Sequence, residues 1–411
     1  MKPGCVTGWV LVSLTLAALP APRCEQHAWV EEARALDLSE AEIAALADQG
    51  MVVTTHEYRQ SFVPYLALMK SQIPAPVFIT SDAILNGYHV LFEESVTRVE
   101  RRRARHLTPL LDELWRQLQE ARPPQASLRE LDDDAWRRAL VTIGTAAELL
   151  GGEATGADAE TAALIDCEVR RVEEARTTTK SWWLGPPDRG FVALDYSRFR
   201  PRSFYAGDPV LERLFRATAW LQAIPFRLDR DSEFEAVRIL ADAYRRIPEE
   251  SRTAMAGVDV AFDRLLGPPD DPTLAWVAAR LEDASRQPGR SLASWRRWLE
   301  REIERHGLHP AINDQLRSPD FEGDSSAEPS VRLLPSRRTP DSVLLQQLAD
   351  GPPPYPPRLD FMASGLHVCA ALGSPLCRQT LSSEDAEIAS LVERLAAAPA
   401  PEASAFERYL Y

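Results

Sequence analysis

Hydrophobic residues recur every three or four positions along most of this chain, which is the spacing that gives a helix one apolar face. The pattern predicts helices at about 132–150, 157–178, 208–222, 231–247, 272–286 and 291–305, and later ones at about 338–350, 359–371 and 383–397. Alternation typical of strands is confined to two short runs, Met51–Thr54 and Phe191–Leu194. We therefore predict an all-α fold with few short strands, arranged as a multi-helix bundle or a toroid-like array.

Local signals also place some helix ends. Ser39 followed by Glu42 is a capping box, in which each side chain satisfies a backbone N–H of the other residue, and Gly50 is expected to end this helix. A longer helical pattern extends from about residue 82 to residue 120. Pro109 lies inside it, and because proline lacks the N–H of the helical ladder, we expect a break or kink there.

The start of the long pattern carries a polar stripe. Asp82, Asn86, His89 and Glu93 lie at offsets 0, 4, 7 and 11, which a helix of about 3.6 residues per turn places on one face. Two carboxylates beside an imidazole suit proton transfer, with Asp82 or Glu93 as acid or base and His89 as proton carrier. Asn86 is a candidate ligand contact. The same side chains also suit the solvated face of an ordinary amphipathic helix.

A second cluster of candidate residues follows the Phe191–Leu194 run. Asp195, Tyr196, Arg200 and Arg202 share one loop, and guanidinium groups bind carboxylates and phosphates through paired hydrogen bonds. Aromatic residues, which suit sugar rings or peptide side chains, are concentrated in the same region at Trp182, Trp183, Phe191, Phe199, Phe204 and Tyr205. The loop is therefore a candidate binding site for an anion or a sugar. The alternative is a loop held to the helical core by Arg–Asp ion pairs.

The N-terminus has the order of a secretory signal. Lys2 precedes an apolar run from Val6 to Leu19, and Cys24 follows soon after. The run is shorter than the roughly 20 residues of a membrane span. We predict that residues 1–24 are a signal or lipoprotein-type targeting segment with Cys24 as a candidate lipidation site; cleavage without a lipid and an uncleaved anchor are the alternatives. The protein is expected to be extracytoplasmic (periplasmic, outer-membrane-tethered or secreted), with any membrane tether at its N-terminus only.

Cysteine and ligand-spacing patterns indicate few special sites. Cys369 and Cys377 are eight residues apart and could form a disulfide in an oxidising compartment or remain unpaired thiols. No CxxC, HExxH, GxSxG, GxGxxG or Walker motif occurs, so no metal and no cofactor is predicted. Common zincins, serine hydrolases, Rossmann dehydrogenases and P-loop enzymes are disfavoured for the same reason. The adjacent acids Asp270 and Asp271 predict a helix cap rather than a calcium loop.

Charge and composition bear on partners and on domain organisation. The 411 residues have a net charge of −14 without a dominant basic patch, which argues against a nucleic-acid partner. The basic run Arg98–Arg105 is interspersed with acids, and we interpret it as a solvated helix face, with a phosphate or anionic-lipid contact as the alternative. A polar, proline-rich stretch predicts a linker at 318–358 between a main helical domain at 25–317 and a helical segment at 359–411 that packs on the main body. The alternative is that this stretch forms loops over one helical body.

Five unusual short motifs occur in order along the chain: Phe78–Glu93, Asp195–Arg202, Phe215–Leu228, Arg338–Ser342, and Leu359–Ala363 with Ala371–Ser374. Their order and spacing, over about residues 50–411, resemble a bacterial family of secreted proteins of unknown function, DUF3160. The resemblance implies a large, mostly helical, extracytoplasmic protein, and it implies no established reaction.

Two departures from the family pattern bear on the candidate site. Members often carry a second histidine at the position of Asn86, so a metal or two-histidine site around His89 is weakened here. Members also look longer, and this chain is expected to be a short member that lacks a region beyond Tyr411.

Three functional hypotheses follow. The first is an envelope protein that binds an unknown ligand or protein partner in a helical groove lined by the Asp82–Glu93 helix and the Asp195–Arg202 loop. The second is a hydrolase of an envelope glycan or peptide, with the acid and base groups of the stripe and with Arg200 and Arg202 as substrate clamps. The third is a structural lipoprotein. An enzyme would require the candidate acid and base groups to converge in one pocket.

Overall fold

The chain forms two compact units in the computed structural model, Met1–Phe92 and Glu93–Tyr411. The structure describes residues 38–49, 52, 81–124, 129–188, 190–285, 291–308, 330–339, 341–343, 345–346, 365–371, 374–380 and 404–406. The predicted targeting segment at 1–24, with Cys24, lies outside these residues, and so does the predicted helix at about 383–397.

The first unit contains helix α1, Glu40–Gln49. Ser39 Oγ accepts a hydrogen bond from the backbone N–H of Glu42 at 3.3 Å, and the Glu42 carboxylate accepts one from the Ser39 N–H at 2.8 Å. This reciprocal pair confirms the predicted capping box. Of the predicted strand Met51–Thr54 only Val52 is described, and it does not belong to a strand.

Helix α2 runs from Ser81 to Ala121 without a break at Pro109, so of the predicted break or kink the break is wrong. One physical reason is that the apolar face continues on both sides of the proline, through the buried residues Leu107, Leu110, Leu111 and Leu114. Pro109 cannot donate a backbone hydrogen bond. At the preceding residue, Thr108 Oγ1 donates to the carbonyl of Ala104 at 3.1 Å. Packing and this local bond keep the helix continuous.

Further helices of the described residues are α3 Glu130–Leu149, α4 Ala159–Glu174, α5 Pro209–Ala223, α6 Asp231–Arg246, α7 Glu249–Leu266, α8 Leu274–Ser285, α9 Leu292–Arg305, α10 Gly365–Ala371 and α11 Pro375–Thr380. Helix α3 packs against α4, α5 and α6 and is buried over most of its length. Its small residues allow close approach, because a Cβ at Gly144 would collide with Ile165 of α4. The predicted all-α fold with few short strands is confirmed.

Helix α7 is absent from the predicted elements. Its buried residues are Met255, Val258 and Phe262, a spacing of three and four that is helical but sparse. Gly257 at its centre has a low intrinsic helix propensity. The helix therefore depends on the packing of a few large side chains, and its sequence pattern alone is a weak signal.

The strands form two small antiparallel sheets: β1 Thr178–Thr179 with β2 Leu194–Asp195, and β3 Phe226–Arg227 with β4 Ser330–Val331. The predicted strand at 191–194 is thus displaced toward its C-terminal end. Phe191 forms an isolated bridge with Asp188 instead. The sheets join loops to one another, and the helices supply the core.

Residues 330–339, called the strap below, are packed against the helical body although they fall inside the predicted linker at 318–358. Three strap arginines form ion pairs with acids of α7 and of the α7–α8 connection: Arg332 with Asp271, Arg337 with Asp259 and Asp263, and Arg338 with Asp270. Asp270 and Asp271, predicted as helix-cap residues, are therefore buried partners of the strap. Gly267, at the end of α7, has φ +106° and lies against the strap. A Cβ at this position would lie 3.0 Å from the carbonyl oxygen of Arg338.

Cys369 lies in α10 and Cys377 in α11, and the structure contains both as free thiols rather than as a disulfide. In the part of the chain that the structure describes, no helix combines the length and the apolar character that crossing a membrane requires.

Candidate functional site

The second unit contains a pocket of about 360 Å³, within the size range of small-molecule sites. Its walls come from α2, from the loop at 193–205, from α5, from the end of α7, from the end of the strap at 335–339, and from Ser342. The lining mixes charged, hydroxyl and aromatic groups: Glu100, Arg103, Asp195, Arg198, Arg202, Tyr205, Thr218 and Arg337, with Phe199, Phe215, Phe262 and Leu266.

Arg103 of α2 is a buried cation of this pocket, with 6% of its surface exposed. Its Nη1 donates to both carboxylate oxygens of Glu100, at 3.1 and 3.2 Å, and its guanidinium lies 3.8 Å from the ring centroid of Phe262. The Tyr205 hydroxyl donates to the same carboxylate at 2.8 Å. Burial, with Glu100 close by, raises the pKa of Tyr205, so the hydroxyl stays protonated and acts as a donor.

Arg337 of the strap lies on the same aromatic ring, with its guanidinium 5.5 Å from the Phe262 centroid. Its Nη2 donates to Asp259 at 3.1 Å, and its Nη1 donates to Asp263. Burial raises the pKa of Asp259, while Arg337 acts in the opposite direction. The charge of Arg337 is therefore already matched by acids of α7.

The loop that carries Arg202 is fastened to α2 at three points: Ser203 Oγ donates to Glu93 at 3.1 Å, the Tyr205 hydroxyl to Glu100 at 2.8 Å, and Arg101 Nη2 to Asp208 at 2.7 Å. Ser203 has φ +53°, in the left-handed region that non-glycine residues rarely adopt. Strain of this kind concentrates at functional sites. The strained residue directly follows Arg202, which lines the pocket.

The pocket lining contains hydrogen-bond donors without a protein partner among the described residues. Arg103 Nε and Thr218 Oγ1 are buried and lack a hydrogen-bond partner among the described residues. Within the same described ranges, the exposed guanidinium of Arg202 makes no hydrogen bond or ion pair. Among the acceptors, Glu100 receives two protein donors, and Asp195 accepts from the Ser197 N–H at 3.0 Å. Because buried polar atoms are nearly always paired, the free donors mark places for a ligand or a water.

The predicted loop residues separate into three groups. Asp195 and Arg202 line the pocket, whereas Arg200 is exposed and lies outside the lining. Tyr196 is fully buried, and its hydroxyl donates to Glu168 at 2.5 Å. The structure therefore makes Tyr196 a core residue rather than the predicted ligand contact, because its polar end is used inside the protein.

Glu168 of α4 is the centre of a buried network that holds this loop. Its carboxylate accepts hydrogen bonds from Trp183 Nε1 at 3.1 Å, from Arg171 at 3.1 Å, and from the Ser181 and Tyr196 hydroxyls. The alternative interpretation of the loop as a segment held to the helical core thus applies to its first half. The second half, after Phe199, carries the pocket-lining Arg202.

The polar stripe of α2 is divided between the two units. Asn86 and His89 belong to the first unit and have exposed side chains, and the side chain of Asp82 lies outside the described residues. Glu93 belongs to the second unit and accepts the Ser203 hydroxyl. Convergence of Asp82 and His89 with the Asp195 loop stays a prediction. In the described ranges, no group of three or more His, Cys, Asp or Glu side chains is placed to hold a metal ion.

Sequence reasoning missed Glu100 and Arg103, because it treated the basic run at 98–105 as a solvated face. The missed signal was the helical period, since Val96, Glu100, Arg103 and Leu107 lie at offsets 0, 4, 7 and 11 and are all buried. A charged pair inside an apolar stripe indicates a buried ion pair. Arg337 had no such signal, since its partners are more than 70 residues away.

Comparisons with known proteins bear on the family and not on a reaction. The chain has no significant match among curated proteins or among solved structures. A family model described as "Protein of unknown function (DUF3160)" matches residues 39–403, which is most of the chain. The protein therefore belongs to the DUF3160 family.

Proposed function

We propose that this protein is an extracytoplasmic binding protein that holds a small molecule in the pocket next to Arg103, Arg202 and Phe262. One observation carries the proposal: a pocket of about 360 Å³ has lining residues with buried donors that lack partners among the described residues. Such donors are costly to leave unpaired, and a bound molecule would satisfy them. The extracytoplasmic location rests on the signal-like pattern of residues 1–24.

Binding has more support than hydrolysis at this site. A hydrolase of the predicted kind needs an acid and a base that are free to exchange protons with a substrate. Of the acids that line the pocket, Glu100 already accepts hydrogen bonds from Arg103 and Tyr205, and Asp195 accepts one from the Ser197 N–H. Glu93, which lies outside the lining, accepts one from Ser203. These carboxylates serve to hold protein donors in place, which suits a preformed binding site.

The experiment is a fragment screen on the purified full-length protein, with thermal shift as the first readout and ligand-detected NMR as the second. We expect several fragments to bind and to stabilise the protein by mass action. Ala219→Trp, which places an indole in the pocket lining, should abolish this binding because it fills the cavity.

Val210→Trp is the matched control, because Val210 lies on the same helix α5, is 45% exposed and is not a lining residue. This variant should keep fragment affinity within about twofold, a difference of roughly 0.4 kcal/mol. Fragments that bind Ala219→Trp as well as they bind the native protein would contradict the proposal, and so would a screen without binders.

A further inference from the structure

We infer that the ligand of this pocket is a monocarboxylate on a flat, apolar body such as an aromatic or alicyclic ring. The inference rests on the proposed binding function and adds the chemical class of the ligand. It follows from three features of the lining, which are the free donors, the balance of charges and the aromatic walls.

The free donors select an acceptor-rich group. Arg103 Nε and Thr218 Oγ1 lack partners, and Arg202 offers an unengaged guanidinium, all within the described part of the chain. The carboxylates of the lining already accept hydrogen bonds from the protein. An oxyanion supplies acceptors and no donors, and it matches the fork of an arginine with two parallel hydrogen bonds. A neutral polar ligand would satisfy fewer of these groups.

The balance of charges selects one negative charge. Arg103 is paired with Glu100, Arg337 is paired with two acids of α7, and Arg198 is engaged within the protein. Arg202 is the lining arginine whose guanidinium makes neither a hydrogen bond nor an ion pair in the described ranges. Asp195 is a lining acid without a cation partner in the same ranges. A carboxylate adds the single charge that Arg202 can match. A doubly charged phosphate would bring a second charge next to Asp195, where desolvation and repulsion oppose it.

The aromatic walls select the rest of the ligand. Phe199, Phe215 and Phe262 line the pocket together with Leu266 and Ala219. Aromatic side chains bury large apolar areas and prefer offset or edge-on contacts with another ring. A flat ring therefore gains more contact here than a flexible polar chain does. The combination of these walls with one free guanidinium points to a ring that bears a single carboxylate.

The test uses benzoate, its neutral isostere benzamide, and inorganic phosphate as probes in calorimetric titrations of the full-length protein. Benzoate should bind at least about tenfold more tightly than benzamide, because an arginine–carboxylate pair contributes over 1 kcal/mol. Phosphate should bind more weakly than benzoate. Arg202→Ala should weaken benzoate binding by about tenfold or more and leave benzamide binding nearly unchanged.

Arg200→Ala is the matched control, because Arg200 is an exposed arginine two residues away that does not line the pocket. It removes the same charge from the same loop and should leave benzoate affinity within about twofold. Equal affinity for benzoate and benzamide, tighter binding of phosphate, or equal losses in the two arginine variants would each overturn the inference. If neutral fragments bind in the pocket without a preference for carboxylates, the ligand class is wrong and the binding function stands. If no probe and no fragment binds, the binding function itself has failed.

Discussion

Ser203 is the residue at which local backbone strain meets the candidate binding pocket. Its backbone adopts φ +53°, and its hydroxyl donates to Glu93 of α2. The preceding residue is Arg202, which lines the pocket and whose guanidinium makes no hydrogen bond or ion pair with the described residues. Glu93, predicted as a catalytic acid or base, therefore has a structural partner that fixes the turn after Arg202. The strain is the cost of turning the chain so sharply at this point.

Two substitutions at Ser203 separate this strain from the hydroxyl bond. Both Ser203→Ala and Ser203→Gly lose the hydrogen bond to Glu93, but only glycine adopts positive φ without penalty. We expect the glycine variant to be more stable than the alanine variant by about 1 kcal/mol, measured by urea unfolding. Ser197 is the control, because it is an exposed residue of the same loop without positive φ. There we expect the Ser197→Gly variant to be less stable than the Ser197→Ala variant. If Ser203→Ala has a free energy of unfolding equal to or greater than that of Ser203→Gly, the backbone at this position is not strained.

At the scale of elements, the Glu168 network joins helix α4 to the segment that leads into the pocket. Glu168 is 1% exposed and holds donors from two stretches after α4, at 181–183 and at 196. An isolated buried carboxylate would be strongly destabilising, so each donor has a large effect. The network explains why a loop rich in arginine and aromatic residues has a fixed conformation.

Tyr196→Phe tests the network without changing the packing. The substitution keeps the ring and removes the hydroxyl that donates to Glu168 at 2.5 Å. Because the acceptor is a buried charged group, we expect a loss of about 2 kcal/mol in the free energy of unfolding. Tyr244→Phe is the comparison, since Tyr244 is also buried but its hydroxyl has no hydrogen bond within the described residues; its loss should stay below about 0.5 kcal/mol. If both variants lose similar amounts of free energy of unfolding, the hydrogen bond to Glu168 does not contribute specifically to stability.

The elements were predictable to the extent that their signals are local. The capping box at Ser39 and the long helices are visible in the sequence because caps and apolar periods act over a few residues. The continuity of α2 through Pro109 was not, because packing across the whole helix outweighs one lost backbone bond. Helix α7 was missed because its apolar period is carried by few residues.

The pocket was only partly predictable for a related reason. Asp195 and Arg202 were identified because arginines and acids in one loop are a local pattern. The strap was interpreted as a linker because its arginines find their acids on α7 and in the α7–α8 connection, and such pairs leave no periodic signal. Tyr196 was placed in the site because a tyrosine carries no mark in the sequence that distinguishes a buried hydroxyl from an exposed one.

At the scale of the whole molecule, stability depends on a buried lysine. The chain has three lysines, and Lys180 is the one that the structure describes. Its side chain is 2% exposed, and Nζ donates to the carbonyls of Pro186 and Phe191, each at 2.7 Å. Burial lowers its pKa to about 8, although the nearby Asp188 acts in the opposite direction. The folded protein therefore releases this proton at a lower pH than the unfolded chain does.

The consequence is a rise of stability on the alkaline side. Between about pH 8 and 10.5 the unfolded chain still binds the Lys180 proton while the folded protein has lost it, so the free energy of unfolding increases with pH across this interval. We expect the native protein to gain stability relative to Lys180→Met between these limits, measured from urea midpoints at several pH values. Taking the difference between the free energies of unfolding of the two proteins at each pH removes the contribution of tyrosines that titrate in the same range. A constant difference between the two proteins would show that the lysine is not perturbed.

The position of the strap in the sequence also determines when the pocket can form during synthesis and folding. It is synthesised more than 200 residues after Glu100 and Arg103 of α2, although both regions line the same pocket. Until the ribosome has passed residue 339, the acids of α7 and of the connection after it lack their arginine partners. Contacts of such wide sequence separation form late in folding. A ligand of this pocket would thus bind only chains that contain the strap, and in a cell it would favour them over nascent or clipped forms that lack it.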